Sequence, residues 1–190
     1  MLLTHVLLIA NIVVFGLEIQ LGDSFVERFA LWPIANGFAP WQLLTSAFLH
    51  ASIAHLFANM LGLWVFGREV ERALGTIRFA QLYVVSLLTA AVAQLLVTGA
   101  MGAIVPTVGA SGALFGVLGA FAMLFPRRVV MLIFPPIALP ARIFVLVYAA
   151  IELYSGVVGT QQGVAHFAHL GGLAGGWILL RRWRSQALSA

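Results

Sequence analysis

Ser111 and His169 are the two side chains of this sequence best suited to acting on each other. Ser111 stands in Gly109-Ala110-Ser111-Gly112-Ala113, at the amino end of an apolar run. Backbone amides at a helix start have no helical partner and carry the positive end of the helix dipole, which favours a negatively charged oxygen. The flanking glycines allow a sharp turn into the helix and leave the hydroxyl uncrowded. The same residues also read as a helix N-cap with packing glycines, and their order is not the G-x-S-x-G of the soluble-hydrolase elbow. His169 opens the run His169-Leu170-Gly171-Gly172-Leu173-Ala174-Gly175-Gly176, in which positions 169, 172 and 176 share one helix face. Gly112 and Gly116 form a matching face behind Ser111, and two such faces let helix backbones approach closely in a membrane. Close approach brings Ser111 within reach of an imidazole that, when neutral, is suited to taking a hydroxyl proton. The chemistry would be acyl transfer through an activated serine; the competing reading has glycines that only pack and a histidine that bonds a neighbouring carbonyl.

His55 and Asn59 are i and i+4, hence on one helix face, and such a pair aimed into a buried site can donate hydrogen bonds to a developing oxyanion. A structural network between helices would use the same groups. His50, five residues before His55, is turned from it by about 140° on a helix and reads as an anchor for the loop before it. Four histidines raise the question of a metal. His50 and His55 diverge, no acidic residue is near any of the four along the chain, and H-E-x-x-H is absent, so neither a metal nor another cofactor is expected. Glu152 falls near the outer end of an apolar run and is expected to face water, with no role.

These groups must be positioned by elements that water does not surround. The 190 residues are 62% apolar and 8% charged, with a mean hydropathy of +1.05, which leaves too few charges to cover a soluble surface. The absence of cysteine removes thiolate nucleophiles and thiolate metal sites. An all-α polytopic membrane protein is expected, a single domain over 1–190. Its spans are expected at about 2–20, 50–66, 79–97, 111–125, 139–158 and 164–180. All ten Lys+Arg are arginines, and all but Arg28 fall on one side of this arrangement, which argues for topology rather than nucleic acid as their purpose. That side is expected to be cytoplasmic, with both termini. His50, His55, Ser111, His166 and His169 then lie at one depth in the outer half, where buried polar groups mark function. The 21–49 loop, with Trp32, Pro33, Phe38, Pro40 and Trp41, is expected to fold against the bundle at the interface. Pro135, Pro136 and Pro140 limit 129–140 to a loop or bent helix start.

Taken together, the residues resemble the rhomboid family of intramembrane serine proteases. The resemblance rests on His50-Ala51-Ser52-Ile53-Ala54-His55-Leu56-Phe57-Ala58-Asn59, on Gly67, Glu71 and Gly75 after it, on Gly109-Ala110-Ser111-Gly112-Ala113 with Phe115, and on Ala165-His166 with His169, Gly172 and Gly176. It covers nearly the whole chain. It implies Ser111 as nucleophile and His169 as general base of a dyad, with Asn59, His55 and the Ser111 amide lining an oxyanion hole. It further implies that Phe115 supports the imidazole, that Glu71 is structural, and that the substrates are transmembrane segments of other proteins entering from the lipid bilayer beside span five. Where the family often has Trp-Arg in the first loop, this chain has Trp41-Gln42. The alternative is a catalytically silent relative that binds or escorts membrane proteins, which keeps the fold without the dyad. Small size and the lack of an appended soluble domain fit a bacterial inner membrane.

Overall fold

The computed structural model describes residues 1–132, 136–158 and 165–188. The protein is a polytopic helical bundle. Helix α1 (Leu2–Leu21) is followed by the short α2 (Asp23–Phe29) and α3 (Gln42–Thr45), and then by α4 (Ile53–Gly62) and α5 (Arg68–Leu74). After these come α6 (Thr76–Met101), α7 (Ser111–Leu124), α8 (Ala141–Val158) and α9 (His166–Leu188). A π-helical stretch, Leu63–Gly67, joins α4 to α5, so the two read as one long element. Among the described residues three helices, α1, α6 and α8, are by themselves long and apolar enough to cross a bilayer; α7, at 14 residues, is a shorter apolar helix. The expected count of six spans therefore rests partly on segments that length and composition alone do not qualify.

Helix α7 is the centre of the bundle. Every residue from Gly112 to Ala122 is buried, with α6 and α9 packed along it and α4, α5 and α8 around the remainder. Small residues make this possible, because the glycine faces of α7 and α9 meet. A side-chain carbon added at Gly176 would lie 2.8 Å from Gly116 Cα, and one at Gly172 would overlap the Gly112 carbonyl. At one end of the bundle, Arg78 stands over Trp183 and Arg128 lies 3.7 Å from Glu69. The same end holds the buried Glu71. It accepts hydrogen bonds from the amides of Leu3 (3.1 Å) and Thr4 (3.0 Å) and from the hydroxyls of Thr4 (2.7 Å) and Thr76 (3.0 Å). One carboxylate thus ties the starts of α1 and α6 to α5.

The first loop packs against the opposite end. Leu31 pairs with Thr107 through a two-way backbone bridge and is buried with Ala91 and Leu95 of α6. Gln42 takes over the loop's hydrogen bonding: its Oε1 accepts from the amides of Trp32 (3.2 Å) and Ala39 (3.1 Å), while its Nε2 donates to the carbonyls of Arg28 and Gly37. Two boundaries differ from expectation. The second span does not start at His50: the chain bends by 97° between Gln42–Phe48 and Ile53–Leu74, His50 lies in the connection, and Ser52 caps α4 by accepting from the His55 amide at 3.1 Å. Where a loop or bent helix start is expected, Val129–Met131 (β1) pairs antiparallel with Ala138–Pro140 (β2). Pro140 ends β2, and the next residue opens α8. Pro135, and the sixth span's expected start at Val164, lie outside the described residues.

Candidate active site

Ser111 is delivered by a turn that only glycine forms easily. Gly109 has φ +130° and its amide donates to the Ser46 carbonyl at 2.9 Å, pinning the chain just before α7 begins. Ala110 takes the cap position and its carbonyl accepts from Leu114 at 3.0 Å, which makes Ser111 the first residue of the helix. Ser111 is therefore not an N-cap, and its hydroxyl bonds elsewhere. Oγ lies 2.7 Å from Nε2 of His169, a residue 58 positions away on the first turn of α9. The imidazole lies flat on Phe115, with ring centroids 4.4 Å apart and planes 3° from parallel, and Phe115 in turn meets Tyr148 at 4.9 Å. Gly172 and Gly176 sit along α9 below His169, where their lack of side chains sets the approach that makes this hydrogen bond possible.

Glu152 is not at the water surface. It is 5% exposed and belongs to the one narrow stripe of α8 that is buried, with Ala141 and Ser155. Its Oε2 lies 2.9 Å from Nδ1 of His169 and 2.7 Å from Nδ1 of His166. The expectation that no acidic group approaches the histidines fails because it weighed distance along the chain, and α8 folds back beside α9. Glu152, His166 and His169 group their ligand atoms within 4.8 Å. The oxygen to nitrogen distances are those of hydrogen bonds, shorter than the ~3.3 Å that separates ligand atoms set ~2.0 Å from a tetrahedral zinc. His166, 5% exposed, has no partner for Nε2 among the described residues.

His55 lies against the same opening. A side-chain carbon at Gly109 would be 3.0 Å from His55 Nε2 and 3.5 Å from Ser111 Oγ, so the imidazole and the hydroxyl flank one point. Asn59, buried one turn further along, donates Nδ2 to the His55 carbonyl at 3.0 Å, and its amide nitrogen carries a second N–H. The expected divergence of His50 from His55 is overturned, because His50 is not helical; the rings meet edge-on at 5.1 Å. The backbone of His50 makes the anchor, donating to both carboxylate oxygens of Glu18 on α1 at 3.1 and 3.2 Å, while its buried ring nitrogens have no partner among the described residues. Glu18 escaped the sequence reading, although a lone carboxylate in an apolar span is itself a signal. A cavity of about 30 Å³, lined by Ser46, Gln94, Thr107 and Ser111 among apolar neighbours, adjoins the hydroxyl and has room for a water molecule.

Fold and site together define a multi-pass membrane protein with a serine, histidines and a carboxylate gathered at one end of a helical bundle. The Rhomboid domain family model matches residues 38–184. Rhomboid protein 1, mitochondrial, of Saccharomyces cerevisiae is 31% identical over 181 residues, covering 90% of this chain and 50% of that protein. Rhomboid protease GluP of Bacillus subtilis is 40% identical over 80 residues, 42% of this chain and 15% of GluP. Rhomboid protease GlpG of Klebsiella pneumoniae is 32% identical over 93 residues, 48% of this chain and 34% of GlpG. The chain belongs to the rhomboid family. It spans half or less of the length of these curated relatives.

Proposed function

We propose that the chain is an intramembrane serine endopeptidase that cleaves transmembrane segments of other membrane proteins. The observation that carries this reading is the 2.7 Å hydrogen bond between Ser111 Oγ and His169 Nε2. In a buried setting it is the arrangement by which a weak hydroxyl nucleophile gains a base. Ser111 attacks the scissile carbonyl as His169 takes its proton, and the imidazolium returns that proton to the leaving amine. Water, for which the cavity beside Ser111 offers a place, then resolves the acyl-enzyme by the same exchange in reverse. The negative oxygen of each tetrahedral intermediate is held by the Ser111 amide at the start of α7, by His55 and by the second N–H of Asn59, the first being bonded to the His55 carbonyl. Relatives named as proteases support the reaction class. Arginines gathered at the far end support a cytoplasmic side there, with the site opening outward, as in a bacterial inner membrane.

The test is incubation of the purified protein with a panel of single-span membrane substrates, beside Ser111→Ala and a fluorophosphonate label. Cleavage and labelling by the wild type, both lost in Ser111→Ala, are expected. A wild type that binds substrates without cleaving or labelling marks a silent relative instead.

A further inference from the structure

Ser111 and His169 carry the proposed chemistry, and a carboxylate with no part in it so far touches the second ring nitrogen of the same histidine. We propose that Glu152 is a positioning residue for this chemistry: it holds His169 as the Nδ1–H tautomer and faces the positive charge that forms on the ring, so that the three make a Ser–His–Glu triad braced by His166. The proposal rests on the serine protease reading and deepens it.

An ionised carboxylate accepts hydrogen bonds and donates none. With Oε2 2.9 Å from His169 Nδ1, the proton of the neutral ring belongs on Nδ1, which leaves the Nε2 lone pair directed at Ser111 Oγ, 2.7 Å away. Without that acceptor either ring nitrogen can carry the proton, and the Nε2–H tautomer cannot take one from serine. His166 lies three residues before His169 on α9, so both Nδ1 atoms reach one oxygen from successive positions of the same helix turn. The second donor fixes the carboxylate against rotation, and at 5% exposure no bulk water competes for it. During attack the serine proton moves from Oγ to Nε2 as the Oγ–carbon bond forms. The ring becomes an imidazolium beside the Glu152 carboxylate, and the proton then passes to the leaving amine. Glu152 itself stays unprotonated throughout, which is the role of the buried aspartate in soluble triads. Phe115 restrains the ring from its face and Glu152 from its edge, so the two constraints are complementary.

The decisive comparison is of Glu152→Gln and Glu152→Asp with the wild type, measuring kcat and KM on one substrate together with Tm in detergent. For Glu152→Gln, kcat is expected to fall by about 10²- to 10⁴-fold with KM within about 3-fold and little change in Tm. Glu152→Asp, which keeps the charge on a shorter arm, should recover at least about 10-fold of that loss. A Glu152→Gln variant with kcat within about 3-fold of wild type overturns the proposal, as does a kcat loss matched by early melting and restored at low temperature. The ¹⁵N shifts of the His169 ring in resting wild-type protein read the proposal without turnover. An Nδ1–H signal with its proton displaced downfield by the carboxylate is expected, and an Nε2–H ring overturns it. Failure of the protease reading shows up separately, as a wild type that neither cleaves nor labels while His169 still carries the Nδ1 proton.

Discussion

Glu71 and Glu152 are the same residue type, both buried, at opposite ends of the bundle, and they are used differently. Glu71 is 2% exposed and accepts hydrogen bonds from four donors that are all neutral amides or hydroxyls of fixed character, two on each oxygen. None of those four donors changes charge, and the Met1 amino group, 3.6 Å from Oε1, adds an ion pair from the start of α1, so the arrangement does one thing, which is to hold α1, α5 and α6 together. Glu152 has two donors, both imidazoles, both on one oxygen, and one of these rings is bonded onward to a hydroxyl. A buried carboxylate with a saturated, unreactive shell is a fastener; one whose partners can gain a proton is poised to respond to chemistry. Burial alone separates neither from the other. The identity of the donors does.

The difference between the two ends can be broken by substitution, and the largest effect belongs at the Ser111 end. Gly172→Val forces a branched side chain into the Gly112 carbonyl and separates α7 from α9. Proteolysis should fall by more than about 10²-fold, since a shift of ~1 Å at a reacting pair costs that much. Full activity in this variant would mean that the two faces are not in contact. Next in size is Asn59→Ala, expected to lower kcat by roughly 10²- to 10³-fold with melting little changed, as for loss of one oxyanion donor. If it instead melts early and keeps kcat at low temperature, Asn59 is a structural brace of α4 through its bond to the His55 carbonyl. Glu71→Gln should show the opposite pattern. Turning an amide N–H against existing donors costs about 1.5 to 3 kcal/mol, or a Tm lower by about 3 to 12 °C, with kcat per folded molecule unchanged. A kcat loss without melting at Glu71 would erase the contrast. His50→Ala should be smallest on activity, within about 3-fold, because its ring nitrogens have no partner among the described residues and its anchor to Glu18 is made by backbone. A tenfold kcat loss there would give the ring a part in the site.

What the sequence made legible follows from where its patterns are local. Spaced glycines on two runs were enough to expect the approach of Ser111 and His169, because a small-xxx-small face is visible in the chain itself. Glu152 departs from its expected exposure for a physical reason. In a bilayer the lipid-facing side of a helix is as apolar as the packed side, so hydropathy along α8 does not reveal which stripe turns inward. Only the fold shows that Ala141, Glu152 and Ser155 make that stripe. A span expected from His50 onward makes that residue helical; the signal against it is Ser52, a capping residue three before His55. The glutamine after Trp41 was a visible departure, yet its four hydrogen bonds depend on a loop shape that no spacing encodes.

The burial of α7 on all sides bears on the lipid as much as on the protein. A span exposed to acyl chains must tilt, or deform the bilayer around it, when the hydrocarbon thickness changes. Helix α7 meets protein in every direction from Gly112 to Ala122, so the depth of Ser111 is set by its neighbours and not by the membrane's thickness. Mismatch strain falls first on α1, α6 and α8, whose surfaces carry the exposed leucines, valines and isoleucines. Varying acyl chain length in reconstituted vesicles should therefore change substrate binding before it changes the rate of the bond-breaking step, and the centre of the molecule keeps its register in membranes of different thickness.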